Sequence, residues 1–428
     1  MSAFSKQQGY LTVSPTLIAI CCSTFAAANP TLPPGAWVNI SPPISGVWCN
    51  DVQYAPSNHN VLFACMTYNG PSKSTDGGAT WTSIHGNSTI KSPQRVRVDP
   101  DNIDHLYAIC GVGGNRGFYV TTDGGANWTE PEGFLKAIQT AGGGFTGDMY
   151  YISVDPTDFN HFLLSFHYPW ASGTSGVLES KDGGITFTIH YPDGWSGSGH
   201  NVFFLYDPGK KIGNNQTWLL GVQDGGGYWR TTNAGKSWAK VYDGGMTHGG
   251  MSIYYAKSGL LYATAGTSLI RSPDNGATWQ AIPKAPFNWY YAMEGDGDRL
   301  YTCPNTGPMI VSPQDDGLNW TQLNAQTFTG NSTMMTFDPD NRIMYSAQRE
   351  NGVWAMKVPP KTTSAQVRHA NFDTMPVKAT LGFSKQGIVV RSATGKVCGV
   401  NGRRLTFSNL TPTGMDDWKA FPSRRHEP

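Results

Sequence analysis

The sequence predicts an all-β fold: a single β-propeller of seven four-stranded antiparallel blades, with eight blades as the alternative. The first observation is a short pattern present in six copies. It reads S-T-D-G-G-A-T-W (Ser74 to Trp81), T-T-D-G-G-A-N-W (Thr121 to Trp128), S-K-D-G-G-I-T-F (Ser180 to Phe187), T-T-N-A-G-K-S-W (Thr231 to Trp238), S-P-D-N-G-A-T-W (Ser272 to Trp279) and a stretched S-P-Q-D-D-G-L-N-W (Ser312 to Trp320). The second is spacing: the closing aromatics lie 41 to 59 residues apart, the period of a propeller or solenoid. The third is composition, with 51 glycines, 12% aromatic and only 14% charged residues in 428, which suits many short strands joined by turns. Each copy reads as a tight hairpin whose Asp caps the turn, whose Gly takes the positive φ, and whose aromatic packs between neighbouring sheets.

The pattern resembles the Asp-box, S/T-x-D-x-G-x-T/S-W, of secreted β-propellers such as sialidases, xyloglucanases, sortilin-type receptors and several polysaccharide lyases. In those proteins the box sits on the outer hairpin of each blade, away from the active site. The resemblance therefore implies a fold and leaves the function open.

In chain order, residues 1–28 read as a signal peptide: Lys6 precedes a short apolar run from Leu17 to Ala28, and Ala26-Ala27-Ala28 offers a cleavage site. The run is too short to span a membrane. Seven N-x-S/T sequons, at Asn39, Asn87, Asn127, Asn215, Asn319, Asn331 and Asn409, join the leader in predicting a secreted, extracellular glycoprotein. Residues 29–428 read as one propeller domain. Its blades are expected at about 48–84, 94–131, 148–190, 200–242, 248–282, 289–323 and 331–357. Residues 35–40 (G-A-W-V-N-I) match the outer strands A-T-W-T-S-I and A-T-W-Q-A-I, and would close the ring as the fourth strand of the last blade. Residues 377–421 read as extra strands or an eighth blade. Cys49, Cys65, Cys110, Cys303 and Cys398 show no metal-ligand spacing and read as small buried core residues, with one or two disulfides as the alternative.

In a propeller the starts of the inner strands and the ends of the second strands share one face, the funnel where ligands bind. This sorting sends His59, His105 and His161 to turns at the opposite end. It gathers Asn50, Asp51, Gln94, Arg95, Tyr150, His200, His248, Tyr290 and Asn331 with Tyr68, His167, Tyr168, Gln223, Asp224, Arg349 and Glu350 at the funnel. The aromatics of His167 to Gly176, together with Trp289 and Trp229, could stack on a sugar.

Three chemistries fit such a funnel. A sialidase needs an arginine triad, and only Arg95 and Arg349 stand at rim positions. A glycoside hydrolase needs two carboxyls, one acting as acid and one as base or nucleophile. Asp224 could pair with Asp51, Asp148 or Glu350. A polysaccharide lyase needs a group to neutralise a uronate carboxylate, a base for the C5 proton and an acid for the leaving oxygen. His167, His200 and His248 are the expected acid or base, with Tyr150 and Tyr290 as proton donors. Arg95 and Arg349 would bind the carboxylate. Asn50, Tyr68, Tyr168, Gln223, Trp289 and Asn331 would line the subsite, and Asp224 and Glu350 would orient partners or hold a cation such as Ca2+. The single-propeller length, leader and His/Tyr/Arg funnel resemble the fungal L-rhamnose-α-1,4-D-glucuronate lyases, which act on arabinogalactan glycans such as gum arabic. That resemblance implies β-elimination next to a uronic acid. Hydrolysis and glycan binding without catalysis are the alternatives.

The expected partner is a polysaccharide or oligosaccharide, handled by a monomer. A net charge of +1 offers no footprint for nucleic acid or an anionic membrane. No nucleotide, flavin or zinc signature is present, and Asp224-Gly225-Gly226-Gly227 reads as a β-turn.

Overall fold

A computed structural model describes residues 29–360 and the strand segments within 380–399. Its description omits 42–47, 87–89, 112–115, 143–147, 168–175, 192–198, 207–214, 224–225, 245–251, 267, 283–284, 286–289, 305–306, 313–316, 324–331, 385–386 and 392–396. The chain forms two compact units, Met1–Pro359 and Pro360–Pro428.

Seven antiparallel sheets make the first unit a seven-bladed propeller. The inner strands are Cys49–Ala55, Pro93–Asp99, Met149–Asp155, Gly199–Phe204, Ile253–Tyr255, Tyr290–Gly295 and Ser332–Asp338. Six sheets have four strands, and blade two adds to its three strands a bridge between Val120 and Thr129. In blade seven the fourth strand is Trp37–Asn39, with Trp37 opposite Met356 and Asn39 opposite Trp354. The ring thus closes with seven blades. In the second unit, Thr380–Ser384, Gly387–Arg391 and Val397–Gly399 form a separate three-stranded sheet. The rest of the expected extra strands at 377–421, and the leader at 1–28, lie outside the described residues.

Five boxes share one set of bonds. In the first, Asp76 Oδ1 accepts from the Ser74 hydroxyl (2.8 Å) and the Thr80 amide (2.8 Å), while Oδ2 accepts from the Thr80 hydroxyl (2.6 Å). The Ser74 oxygen in turn accepts from the Gly78 amide at 2.8 Å. The same arrangement surrounds Asp123, Asp182 and Asp274, and at Asn233 it differs only in that the side-chain amide donates to the Ser237 hydroxyl. Two closing tryptophans tie blades together, the Trp81 indole donating to Ile40 O and the Trp128 indole to Ile84 O, each at 2.7 Å, whereas those of Trp238, Trp279 and Trp320 donate to a glycine carbonyl of their own box. The corresponding part of the sixth box, residues 313–316, lies outside the described residues.

One helix, Glu132–Gly142, interrupts the all-β pattern between blades two and three. Pro131 precedes it, Glu132 stands in its first turn, and Phe134, Ala137 and Ala141 recur on one face. That face packs into the core between the two blades, among Phe118 and Phe162. Gly133 lets the helix start against the third box, since a Cβ there would lie 1.9 Å from Ile185 O.

His105 and His161 do cap turns at the far end, within the first residues of their strands. Their Nδ1 atoms lie 2.9 Å from Asp99 and Asp155, respectively, and His59 Nδ1 lies 2.7 Å from Asp338 of the neighbouring blade. Cys49, Cys65, Cys110 and Cys303 are buried and unbridged. Burial pushes the Cys303 thiol up to about 12. Among the sequons, Asn39, Asn127 and Asn319 are exposed, whereas Asn215 is buried and out of reach of a glycan.

Candidate functional site

Blade three contributes a linked trio at the funnel. Its first two strands pair as far as Met149 opposite Phe166. One further rung, from the His167 amide to Asp148 O (2.8 Å), sets these two side chains beside each other. His167 Nδ1 lies 3.0 Å from Asp148 Oδ2, and the His167 ring lies 4.5 Å from that of Tyr150. Asp148 is buried, and its Oδ1 has no hydrogen-bond partner among the described residues. Gly111 makes room for that oxygen, because a Cβ there would stand 2.6 Å from it. A carboxylate so placed orients the imidazole and fixes which ring nitrogen faces it.

The Tyr150 phenol shows which blades meet here. Burial raises its pKa, Asp148 adds to the rise, and Arg95 and Arg349 oppose it. Tyr291 of blade six also acts on it. Charged and phenolic groups of blades two, six and seven thus act electrostatically on this residue of blade three.

Blades one and seven supply the rim. Their second strands end in matching turns, T-Y-N-G and R-E-N-G, in which Asn69 N donates to Met66 O and Asn351 N to Gln348 O, each at 3.2 Å. Tyr68 and Glu350 occupy equivalent left-handed positions, with φ of 67° and 68°, and both side chains are exposed. The guanidinium carbon of Arg349 sits 3.5 Å from the Trp48 ring centre, and the Trp48 indole donates to Glu350 Oε1 at 3.2 Å. This is a stacked cation–π pair whose indole is held by a carboxylate.

Four expected site residues are buried. Arg95 is only 2% exposed, and its Nη1 donates to Asn50 O (2.7 Å) and Gln94 O (2.6 Å), so it is not the carboxylate binder. Tyr290 is fully buried in the core between blades five and six, among Leu269 and Ile310, out of reach as a proton donor. Asn50 joins two blades by donating to Thr67 Oγ1 and Pro93 O. Gln223 is buried at the end of its strand. Asp51 is likewise excluded from acid–base work, because it accepts from Arg97 (2.7 Å), Gln53 and the Val96 amide. The backbone of His200 lies in the inner strand of blade four. Tyr168, Asp224, His248, Trp289 and Asn331 lie outside the described residues.

Trp48 was not among the expected site residues. Its signal is present nonetheless, for Trp48 precedes the inner strand of blade one as Trp289 precedes that of blade six. Among the described residues no group of three His, Cys, Asp or Glu side chains has metal-binding geometry. What the rim offers is proton transfer at Asp148–His167–Tyr150, a cation at Arg349, an exposed carboxylate at Glu350, and aromatic faces at Trp48 and Tyr68.

No family model matches the sequence. Over 287 residues it is 26% identical to an oligoxyloglucan-reducing end-specific xyloglucanase from Emericella nidulans, covering 58% of this chain and 32% of that one. A xyloglucanase from a Paenibacillus species is 26% identical over 235 residues, 45% of this chain and 22% of that one. The chain therefore spans a third or less of these relatives. Among solved structures, the GH74 xyloglucanase from Xanthomonas campestris superposes with a TM-score of 0.58 at 16% identity, over 83% of this chain and 59% of that one. YCF48 from Cyanidioschyzon merolae superposes with a TM-score of 0.55 at 14% identity, over 76% of this chain and 99% of that one. At these identities the superpositions speak for the propeller alone. These curated relatives are xyloglucanases, and the expected likeness to L-rhamnose-α-1,4-D-glucuronate lyases finds no support among them.

Proposed function

We propose that the funnel binds a polysaccharide and that the protein is a glycoside hydrolase of xyloglucanase-like type. The observation that carries this reading is the similarity to xyloglucanases along 58% of the chain. Hydrolysis needs an acid and a base or nucleophile on either side of the scissile bond. Among the described residues Asp148 and Glu350 are the carboxyls available for these roles, one buried against His167 and the other exposed beside Trp48. Trp48 and Tyr68 offer the apolar faces on which sugar rings stack. The leader-like first 28 residues support action outside the cell. The protein would act as a monomer.

One arrangement favours a second reading, β-elimination next to a uronic acid. His167, backed by Asp148, has the make-up of a base, Tyr150 that of an acid, and Arg349 lies within electrostatic reach of Tyr150. Product analysis separates the two. Digestion of xyloglucan and of uronate-containing polysaccharides should yield new reducing ends without absorbance near 235 nm. Appearance of that absorbance, the mark of a 4,5-unsaturated uronate, would replace hydrolysis with elimination. Retention on a glycan column without any product would leave a binding propeller.

A further inference from the structure

The central channel has a second mouth, at the turn end of the inner strands, away from Tyr150 and His167. A cavity of about 440 Å³ opens there, and its lining includes Arg97, Tyr206, Tyr254, Tyr255 and Glu294, within the size range of small-molecule sites. Arg97 and Glu294 stand at equivalent places, the fifth residue of the inner strands of blades two and six. The two differ in what answers their charge. Arg97 is held by Asp51 at 2.7 Å. Glu294 accepts a hydrogen bond from the amide of Gly295, next in the chain, at 2.8 Å, and no cation pairs with it among the described residues.

Its neighbours are phenols. Tyr206 and Tyr255 pack ring to ring at 4.4 Å, with the Tyr255 hydroxyl tied to Asn275 Oδ1 and to the Tyr206 amide. Tyr254 lies against Gly295, its hydroxyl accepting from the Gly297 amide at 3.2 Å. Glu294 acts electrostatically on both Tyr54 and Tyr206, so blades one and four face it as well. A carboxyl among tyrosines with no counter-cation is costly to ionise. A ligand carrying the missing positive charge would supply the partner, its N–H groups to the carboxylate and its carbon skeleton to the rings.

We propose that this mouth of the channel is a binding site for a small organic cation, a primary amine in its ammonium form, with Glu294 as its anionic contact. Burial pushes the Glu294 carboxyl up to about 8, so binding takes up the ammonium and releases a proton. Of the other charged or titratable groups that line or face the cavity, Arg97 is already paired with Asp51, burial raises the Tyr54 and Tyr206 phenols above their usual value, and the Tyr254 and Tyr255 hydroxyls are engaged in hydrogen bonds.

The test is calorimetric titration of the full chain with butylammonium, with butanol as the neutral control. Binding should be saturable, absent for butanol, and about tenfold tighter at pH 9 than at pH 7, because the carboxyl must ionise first. At pH 7 the apparent enthalpy should differ between buffers of different ionisation heat, reporting the released proton in the unmodified protein. Glu294→Gln, checked for an unchanged thermal midpoint, should weaken binding at pH 9 at least tenfold. Equal binding by that variant, binding of butanol, or no saturable butylammonium binding at pH 9 would overturn the proposal. Binding of inorganic phosphate in place of the amine would overturn it too, and would point to Arg97.

Discussion

Asp148 and His167 show how much a single side chain depends on its partner. Asp148 is buried and keeps one oxygen on the imidazole and one with no hydrogen-bond partner among the described residues. Asp148→Asn should lower kcat by about 10²–10³ with little change in KM, the usual scale for a mis-set acid or base. A KM effect alone would make Asp148 a scaffold residue. His161, in the seam of blades three and four, makes a stability prediction instead. Burial alone would lower its pKa, but Glu179 and Asp155, each 2.9 Å away, outweigh burial and raise it above 6.5. A raised folded value stabilises the fold fully below the unfolded value of about 6.5, and that contribution is lost as pH rises through the folded value. His161→Gln should therefore lower the urea midpoint more at pH 6 than at pH 9. A pH-independent loss would refute the charge account.

At the scale of the element, the boxes show which deviations a repeat tolerates. The first turn glycine has φ of 66°, 71° and 72° at Gly77, Gly124 and Gly183, yet the fourth box holds Ala234 there at 54°. An alanine in that left-handed conformation is strained by about 1 kcal/mol. Ala234→Gly should raise the unfolding free energy by about 0.5–1 kcal/mol in urea melts; an unchanged or lower value would mean that the turn has relaxed around the methyl group. The helix depends on its neighbour in the opposite sense. At Gly133 no side chain fits without moving the backbone of the third box, so its glycine is a packing requirement despite its poor helix propensity.

For the whole molecule, the strand at Trp37–Asn39 closes the ring by pairing with Gly352–Lys357 of the last blade. Trp37 is 5% exposed and packs with Met344, Trp354 and Met356. Trp37→Ala should cost about 3–5 kcal/mol by core truncation, and the loosened edge should promote self-association. Urea melts with sedimentation would check both effects. A loss below about 1 kcal/mol would mean that the ring holds without this closure.

The sequence by itself determined the propeller, its boxes and the closing strand, because each rests on local turn chemistry and a repeat period. It also sorted His59, His105 and His161 to turns at the far end, and it made Tyr68, Tyr150, His167, Arg349 and Glu350 candidates for the funnel. Only the tertiary structure decided which of the gathered residues stay exposed and which are buried. Arg95, Asn50 and Tyr290 stand at funnel positions along their strands, yet they turn into the seams between blades, where carbonyls and core side chains receive them. The pairing of Trp48 with Arg349 and the unanswered charge of Glu294 likewise arise between blades distant in the chain. Position along a strand follows from a repeat, whereas burial and charge balance follow from what the neighbouring blades present.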